Sequence, residues 1–566
     1  MTRNLPFHDS TPRLPGNHRR GAVGVRTSET SVSNCFADRI AFGVLALDLI
    51  VVCLTFRDYG LGWDDFTHSQ YGDLLLSLYR SGFSDQRAFS FVNLYFYGGG
   101  FDMAAALLAK LSPFGLFETR RLIGALVGLI GLAVTWRLGR RLGGPNAGLI
   151  ALVLLATCPL YDGHMYFNAK DAPFATAMIV LLLGMVRVLD EYPRPSRRSV
   201  LLFGVGLGVA FGSRILAGVL APCGLAALAM IVFEDSRGGR IGPAAARAVQ
   251  FVWRLLPALL LGYLIMGLVW PWSVLSPLNP VFASEYFSTF FEKQWRELYE
   301  GRLIYVPDMP ASYLPHLFAL KLPEIMLALG LAGAAGIVVA FQRRTLPVAR
   351  AAALFAVVLA VFFPIAAAMV ARPALYNGLR HFIFLVPPFA VLGGLAGAAL
   401  IVAARPYGGG ALAGLAAALI ASIALPVSDM VRLHPLQYTA FNWTAGGVAM
   451  AHDNYMLDYW GLAFKQAGEA LRARLDAGHE QPPAGRRWIV EICGPQPPAA
   501  IALGPQFRTT FDRKSADFAM LLGTFYCRDD LRAPLLVSVE REGVTYARVY
   551  DIRGRAPPDL LTEPPP

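Results

Sequence analysis

Residues 37–72 read ADRIAFGVLALDLIVVCLTFRDYGLGWDDFTHSQYG, an apolar segment of membrane-spanning length followed by two adjacent acids. The apolar segment, about 37–56, is long enough to cross the roughly 30 Å hydrocarbon core of a bilayer as a helix. The acids Asp64 and Asp65 follow at the membrane boundary, where carboxylates are costly and usually functional. The stretch therefore predicts a membrane helix with a candidate functional site just beyond its end.

The composition extends this prediction to the whole chain. Of 566 residues, 55% are hydrophobic and only 16% are charged, which is too apolar for one soluble core. Further apolar segments lie at about 119–137, 145–162, 172–189, 199–216, 217–233, 255–274, 322–341, 350–371, 381–404 and 410–430. About eleven spans result, which predicts a polytopic α-helical membrane protein.

The distribution of Lys and Arg predicts the orientation of these spans. If the N-terminus lies in the cytoplasm, the cytoplasmic loops are 137–146, 187–199, 234–254 and 343–350. Together they hold fourteen Lys and Arg residues. The opposite short loops hold only Lys170, Arg372 and Arg380. This asymmetry follows the positive-inside rule, so the acid pair is expected on the outer face. The formal net charge of +11 does not indicate nucleic-acid binding, because the cations are dispersed over loops.

We divide the chain into a basic cytoplasmic tail (1–36), a transmembrane catalytic domain (37–430) and an extracytoplasmic α/β domain (431–566). The first outer loop, 57–118, has amphipathic character at 71–79 and 101–110, which predicts two interfacial helices. Between them, Gly98-Gly99-Gly100 is either a close approach to a ligand or a hinge.

The last domain is predicted from a helical pattern at about 461–476 and strand-like runs at 487–492, 518–522 and 535–539. The last run continues through a Glu-Gly turn, which predicts a hairpin. Cys493 and Cys527 both fall in this domain, and a disulfide between them fits an oxidising compartment, although the sequence leaves their pairing open.

Two acidic clusters are candidates for chemistry. The first contains Asp64 and Asp65, with His68 nearby. One of the two acids could serve as a general base, and the other could orient that base or hold a cation. The alternative is that Asp64 or Asp65 is a helix N-cap. The second cluster, residues 161–175, packs His164, Lys170 and Asp171 into a short connection between apolar runs. Asp171 could equally cap the following helix, a role compatible with a functional one.

A third group is cationic and suits a lipid phosphate at the membrane boundary, because the Arg guanidinium binds phosphate through a planar fork. Its members are Arg214, Lys321, Arg372, Arg380 and His381. The alternative for each cation is contact with lipid headgroups or anchoring of a helix end. The pattern Gly204-x-Gly206-x-Gly208 lies inside an apolar segment, where it predicts close helix packing and not nucleotide binding.

These clusters resemble the GT-C glycosyltransferases of the protein O-mannosyltransferase and aminoarabinose transferase type. The stretch GHMYFNAKDAPFA (163–175) is similar to the Asn-Pro-Lys-Asp-x-Pro-Phe-Ala stretch of a bacterial, glycosyltransferase family 39-like branch. Further marks of that branch are LYNGLRHF (375–382), HPLQY (434–438), FN (441–442) and DYWG (458–461). The resemblance covers roughly residues 37–465.

The resemblance implies a GT-C fold and transfer of a sugar from a polyprenyl-phosphate donor to a protein, glycan or lipid acceptor, usually with inversion. Asp64 matches the family's proposed base, Asp65 stands where Glu is usual, and Asp171 matches the second acid. Arg380 and His381, with Arg214, match donor-phosphate contacts. The implied setting is the outer face of a bacterial inner membrane. Residues 93–100 lack the Glu-Lys-Pro that the aminoarabinose transferases have in the first loop. The identity of the acceptor is therefore left open.

No cofactor is required by this chemistry, because the leaving group is already a phosphate; a divalent cation on Asp64 or Asp65 is left open. The main alternative function is a transporter or flippase for a lipid-linked or anionic substrate. That class predicts ionisable residues at span centres and a two-fold repeat of broken helices, and neither is evident. A membrane anchor that displays the 431–566 domain would not need eleven spans.

Overall fold

The computed structural model describes residues 23–237, 239–288, 295–527 and 531–560. Most of the predicted basic tail, up to residue 22, lies outside these ranges. The helices of the described residues are α1 (Val23–Thr55), α2 (Asp65–Arg80), α3 (Gly100–Ala109), α4 (Leu116–Gly143), α5 (Pro145–Ala156), α6 (Pro159–Phe167), α7 (Asp171–Asp190), α8 (Arg197–Phe211), α9 (Leu220–Ser236), α10 (Ile241–Val269), α11 (Asn279–Ser288), α12 (Tyr313–Lys321), α13 (Glu324–Gln342), α14 (Val348–Ala371), α15 (Val386–Ala404), α16 (Gly409–Leu433), α17 (Gly447–Ala451), α18 (Phe464–Ala477) and α19 (Gln496–Leu503). The strands are β1 (Arg296–Tyr299), β2 (Arg302–Tyr305), β3 (Trp488–Cys493), β4 (Phe507–Thr510), β5 (Phe518–Leu522), β6 (Leu535–Arg541) and β7 (Val544–Asp551).

The predicted multi-pass helical architecture is confirmed, and among the described residues fewer than the eleven predicted segments meet the length and apolarity that a membrane span requires. Eight helical segments of the described chain are long and apolar enough to cross a membrane: α4, α7, α9 with the preceding turn, α10, α13, α14, α15 with its flanking turns, and α16. The predicted span 145–162 is instead the bent pair α5 and α6, which meet at 65° and would make a ninth crossing if counted together.

The other two predicted spans are helical but do not meet the same requirement. Helix α8 has 15 residues, which is short of the roughly 20 needed to cross the hydrocarbon. Helix α1 carries Asp38, Arg39 and Asp48 in its apolar part. The apolar runs in the sequence therefore correspond to helices. Breaks in these helices and charged residues within them determine how many helices meet the requirement for crossing a membrane.

Helix packing places α7 in the interior of the bundle. Helix α7 is the most buried of the eight candidate spans, whereas α16 and α10 lie at the periphery. The glycine pattern in α8 packs as predicted, since a Cβ on Gly206 would lie 2.6 Å from Leu181 Cα and one on Gly208 would lie 2.5 Å from Ile265 Cβ. Small residues at such contacts let helix backbones approach closely.

The first loop contains α2 and α3 where two helices are predicted. The glycine run between them contacts protein backbone: Gly98 N–H donates to Ser213 O (3.3 Å) and Gly99 N–H to Val269 O (3.0 Å). A Cβ on Gly98 would overlap Gly212 O. The run therefore contacts the ends of α8 and α10, and this contact fixes the position of the preceding Tyr97.

The C-terminal region forms the predicted small α/β domain. Its five-stranded sheet has the order β4-β3-β5-β7-β6, with β3 parallel to β4 and β5, and with β7 antiparallel to β5 and β6. The predicted hairpin is β6–β7, and its turn contains Glu542 and Gly543, both at positive φ. Strand β4 and helix α19 were not predicted. A disulfide joins Cys493 at the end of β3 to Cys527 after β5.

Candidate functional site

Asp64 lies at the centre of a charged cluster formed by three distant parts of the chain. Its carboxylate is 2.9 Å from Lys170 Nζ, which precedes α7, and 3.7 Å from Arg380 Nη1, which precedes α15. Burial would raise the pKa of Asp64, but Lys170, Arg380 and His68 outweigh burial and hold its pKa well below the usual range. The Asp64 side chain is 30% exposed, so a substrate group could reach it.

Asp171 forms the second half of the cluster. It is the first residue of α7 and is buried, and its carboxylate pairs with Arg214 at the end of α8. Asn168 supports it twice: its amide Nδ2 donates to Asp171 Oδ2 (3.0 Å), and its Oδ1 accepts from Asp171 N–H (2.8 Å). The side chain of Asn168, and not that of Asp171, therefore accepts a hydrogen bond from the backbone N–H at the start of α7. The Asp171 carboxylate remains available for the ion pair.

Tyr97 joins the two halves. Lys170 Nζ and Arg214 Cζ each lie 5.4 Å from the centroid of its ring. Cations at this distance are attracted by the electrons of an aromatic ring. Burial raises the pKa of the Tyr97 hydroxyl, so the side chain is neutral at ordinary pH. Tyr97 thus orients two cations without neutralising either.

The cluster has the charge and the free donors of an anion site. Three permanent cations, Lys170, Arg214 and Arg380, face two carboxylates. Within the described residues, Arg214 Nε and Arg380 Nε are buried and have no hydrogen-bond partner. The Arg380 guanidinium is flanked by the rings of Tyr376 (4.7 Å) and Trp460 (5.4 Å). Buried N–H donors of this kind need an acceptor, and a phosphate oxygen supplies one.

The acid pair is divided between two different surroundings. Asp65 is 2% exposed; its carboxylate accepts from Gly62 N–H (2.8 Å) and pairs with Arg121 of α4 (3.1 Å). Asp64 occupies the N-cap position of α2, as the alternative interpretation predicts, but its side chain makes no capping hydrogen bond. Asp65 thus ties the start of α2 to α4, and its role as a catalytic helper or cation ligand stays a prediction.

His68 also faces the protein interior. Its Nδ1 lies 2.6 Å from Asp102 of α3, which is bound in turn by Arg120 of α4 at 2.6 Å. Burial would raise the pKa of Asp102, but His68 and Arg120 lower it below its usual range. The ring thus holds α2 against α3, and a contact between His68 and substrate stays a prediction.

Two other histidines lie beside the cluster. His164 is fully buried, with Nδ1 3.1 Å from the Asn168 amide and Nε2 3.2 Å from the Tyr459 hydroxyl. Asn168 thus contacts both His164 and Asp171. His381 is half-buried and packs edge-on against Tyr376 at 4.9 Å, next to Arg380.

Lys321 and Arg372 are not brought to Asp64. Lys321 is buried at the end of α12, with its ammonium 4.2 Å from the Phe441 ring centroid, and it lines two small cavities. Burial lowers the pKa of Lys321 to about 7. Arg372 is exposed beyond the end of α14. Their predicted contacts with a donor phosphate are therefore not part of this cluster.

Among the described residues, His, Cys, Asp and Glu side chains form no group of three or more that could hold a metal ion. Lys170 pairs with Asp64, and Arg121 pairs with Asp65. The side chains missed in the sequence are Tyr97, Asn168, Tyr376, Tyr459 and Trp460. Each lies within a range named in the sequence analysis. The residue type alone gave no indication of which cation or acid each side chain would contact.

Residues 101–252 match a family model described as dolichyl-phosphate-mannose-protein mannosyltransferase. The matched segment contains Lys170, Asp171 and Arg214, and it lies within the part of the chain for which the resemblance was predicted. The predicted resemblance to the protein O-mannosyltransferase type is confirmed for that segment. No curated protein matches the chain.

Solved structures give similar chains of low identity. ArnT from Cupriavidus metallidurans bound to undecaprenyl phosphate is 17% identical with a TM-score of 0.46, covering 92% of this chain and 99% of that one. The archaeal oligosaccharyltransferase AglB from Archaeoglobus fulgidus, in complex with an inhibitory peptide and a dolichol-phosphate, is 12% identical with a TM-score of 0.43. That match covers 81% of this chain and 62% of the AglB chain.

Proposed function

We propose that this protein is a membrane glycosyltransferase that moves a sugar from a polyprenyl-phosphate donor to an acceptor. The family match over residues 101–252 supports the reaction class. The observation that carries the proposal is the cluster itself: a partly exposed carboxylate, Asp64, held by Lys170 and Arg380 beside the Asp171–Arg214 pair. A general base and an anion site are thereby adjacent, as group transfer from a lipid phosphate requires.

The donor phosphate binds to Lys170, Arg214 and Arg380 in this mechanism. The unpartnered Nε atoms of both Arg side chains receive phosphate oxygens, and Lys170 supplies a mobile charge. The polyprenyl tail stays in the bilayer, since the cluster lies at one end of the apolar helices. The cations neutralise the charge that develops on the leaving group, so the mechanism needs no metal.

The reaction is an inverting displacement. An acceptor hydroxyl or amine attacks the anomeric carbon from the face opposite the phosphate, and its proton passes to Asp64. The bond from the anomeric carbon to the phosphate oxygen breaks, and polyprenyl phosphate leaves with the bonding electrons. Asp171 stays paired with Arg214 and keeps that guanidinium directed at the phosphate.

Donor binding also activates the base. In the free protein Asp64 is a weak base, because Lys170 and Arg380 hold its pKa low. A bound phosphate competes for both cations and weakens their hold on Asp64, which raises its pKa and its basicity. The acceptor is therefore deprotonated only when the donor is in place, which favours ordered binding with the donor first.

The site faces the extracytoplasmic side of a bacterial inner membrane in this proposal. The positive-inside distribution of Lys and Arg supports this orientation, with the C-terminal domain outside. The Cys493–Cys527 disulfide in that domain supports it independently, because disulfides persist in oxidising compartments. The acceptor is a protein, a glycan or a lipid.

Transfer by the purified protein in liposomes tests the proposal. Polyprenyl-phosphate donors radiolabelled in the sugar are supplied together with a membrane extract as the source of acceptor, and loss of label from the donor is measured for wild type, Asp64→Asn and Asp73→Asn. Asp73 lies on α2, the helix that Asp64 precedes, but its side chain is 56% exposed and pairs only loosely with Lys110 (3.6 Å). Wild type and Asp73→Asn should cleave the donor and Asp64→Asn should not. Movement of the intact donor across the bilayer without cleavage would favour a flippase.

A further inference from the structure

A short hairpin outside the helix bundle reaches the turn that carries Arg380. Strands β1 and β2 pair antiparallel, with Glu297 opposite Ile304. The hairpin is fixed to the later chain by a bridge between Tyr299 and Tyr455 and by Gly301 N–H donating to Asn454 O (3.2 Å). Its position is therefore set by protein contacts on two sides.

Glu297 is the buried acid of this hairpin and it holds two backbone N–H groups of the 376–380 turn. Its Oε1 accepts from Asn377 N–H at 2.9 Å and from the Tyr313 hydroxyl at 3.3 Å. The Tyr313 oxygen in turn accepts from Gly378 N–H at 3.0 Å. One carboxylate oxygen, directly and through Tyr313, thus satisfies two successive N–H groups.

The turn needs such a support. Asn377 and Gly378 both have positive φ, at 56° and 66°, a region that is rarely populated by non-glycine residues and must be stabilised by surrounding contacts. Successive N–H groups in such a turn point to one side and favour a negatively charged acceptor. Arg380 follows two residues later, so the shape of the turn decides where its guanidinium lies.

A buried glutamate at position 297 costs free energy, and packing alone does not require a carboxylate there. Glu297 is 2% exposed, and its Oε2 has no hydrogen-bond partner among the described residues. Burial raises the pKa of Glu297 to about 7, so its ionised form is disfavoured. An apolar residue would fill the space without that penalty, which indicates that the hydrogen bonds to the turn are the reason for a Glu here.

We propose that Glu297 is a positioning residue for the donor-phosphate site, acting through the 376–380 turn to hold Arg380 against Asp64. This inference rests on the proposed function, in which Arg380 binds the donor phosphate. Glu297 itself does not touch the donor. The hairpin between α11 and α12 thereby becomes part of the site's supporting structure, together with Tyr313 of α12.

Binding of undecaprenyl phosphate to the full-length protein in detergent tests this inference. Glu297→Leu should weaken binding about tenfold, because Asn377 N–H loses its acceptor, the Tyr313 hydroxyl that supports Gly378 loses its own, and Arg380 is misplaced. Glu297→Gln retains a carbonyl oxygen at Oε1 and should bind within about twofold of wild type. The matched control is Glu300→Leu, in the same hairpin but 53% exposed on its side chain.

Each outcome decides the inference. Unchanged binding by folded Glu297→Leu, or equal weakening by Glu297→Gln, would overturn it. If Glu297→Leu does not fold, Tyr313→Phe replaces it: removal of the hydroxyl frees Gly378 N–H and should weaken binding about threefold, and unchanged binding would overturn the inference. Arg380→Gln separates the two claims. If Arg380→Gln weakens binding and Glu297→Leu does not, only the inference fails; if Arg380→Gln binds normally, the proposed function fails with it.

Discussion

The ammonium of Lys170 lies 2.9 Å from a carboxylate oxygen of Asp64, and this pair joins residues 106 positions apart in the sequence. The contact brings the loop before α7 to the start of α2. It also means that the candidate base and one candidate phosphate ligand bind each other in the free protein. The proposed mechanism depends on the exchange of this ion pair for a contact between Lys170 and the donor phosphate.

The pH dependence of the free enzyme reports on this pair. Asp64 must be deprotonated to accept a proton, so kcat/KM falls as the pH drops through its pKa, which Lys170 and Arg380 hold below the usual range. Lys170→Met removes one of these cations, and the acid limb of the kcat/KM profile should move to higher pH. Lys110→Met, whose parent side chain is 42% exposed, is the control and should leave the limb in place.

The ring of Tyr97 is expected to matter more than its hydroxyl. Tyr97→Phe keeps the aromatic face toward Lys170 and Arg214 and should retain most of the transfer activity. Tyr97→Ala removes two cation–π contacts of about 0.5–2 kcal/mol each, so kcat/KM should fall about tenfold or more. An equal loss in both variants would show that the hydroxyl, and not the ring, is required.

Asp65 and Arg121 are expected to act on stability. Arg121→Met leaves the buried Asp65 carboxylate with only the more distant Arg120 Nε (4.0 Å) as a charged partner, and loss of one partner of a buried pair costs up to about 3–5 kcal/mol. Its melting temperature in detergent should be well below that of wild type. Arg57→Met breaks an exposed pair with Glu118 at 3.6 Å and should cost less than about 1 kcal/mol. Similar melting temperatures for the two variants would contradict the assigned role of Asp65.

Lys321 is expected to destabilise the folded protein in a pH-dependent way. The unfolded chain holds its proton up to about pH 10.5 and the folded protein only up to about 7, so the penalty is complete at or below pH 7 and declines toward pH 10.5. At pH 7, Lys321→Met should raise the free energy of unfolding by a few kcal/mol, which is about the free energy that corresponds to the pKa shift of Lys321. The gain should shrink at pH 9.5. A gain independent of pH would contradict this assignment.

Hydropathy was sufficient to locate the helices of the bundle, because bilayer thickness imposes a minimum apolar length that is visible in the sequence. It did not reveal the bend between α5 and α6 or the 15-residue length of α8, since helix breaks within apolar runs depend on tertiary packing. The clustering of Asp64 and Asp171 with three cations followed from placing loops on one face.

The different surroundings of Asp64 and Asp65 could not be predicted. Adjacent residues at the start of a helix point in directions set by the helix position, and that position depends on Arg121, 56 residues further along the chain. The same limit applies to Glu297. Its role depends on a contact across 80 residues with a backbone N–H, and a backbone group leaves no signal in the residue types.

The central claim is that Asp64 is the base of a transfer reaction whose donor phosphate shares its cations. The most direct test measures two quantities on Asp64→Asn: the rate of sugar transfer from a polyprenyl-phosphate donor, and the affinity for undecaprenyl phosphate. The account predicts that transfer falls about 10²–10⁴-fold, as expected for loss of a general base, while affinity stays equal or increases because a competing carboxylate is gone. Transfer at the wild-type rate by Asp64→Asn would contradict it.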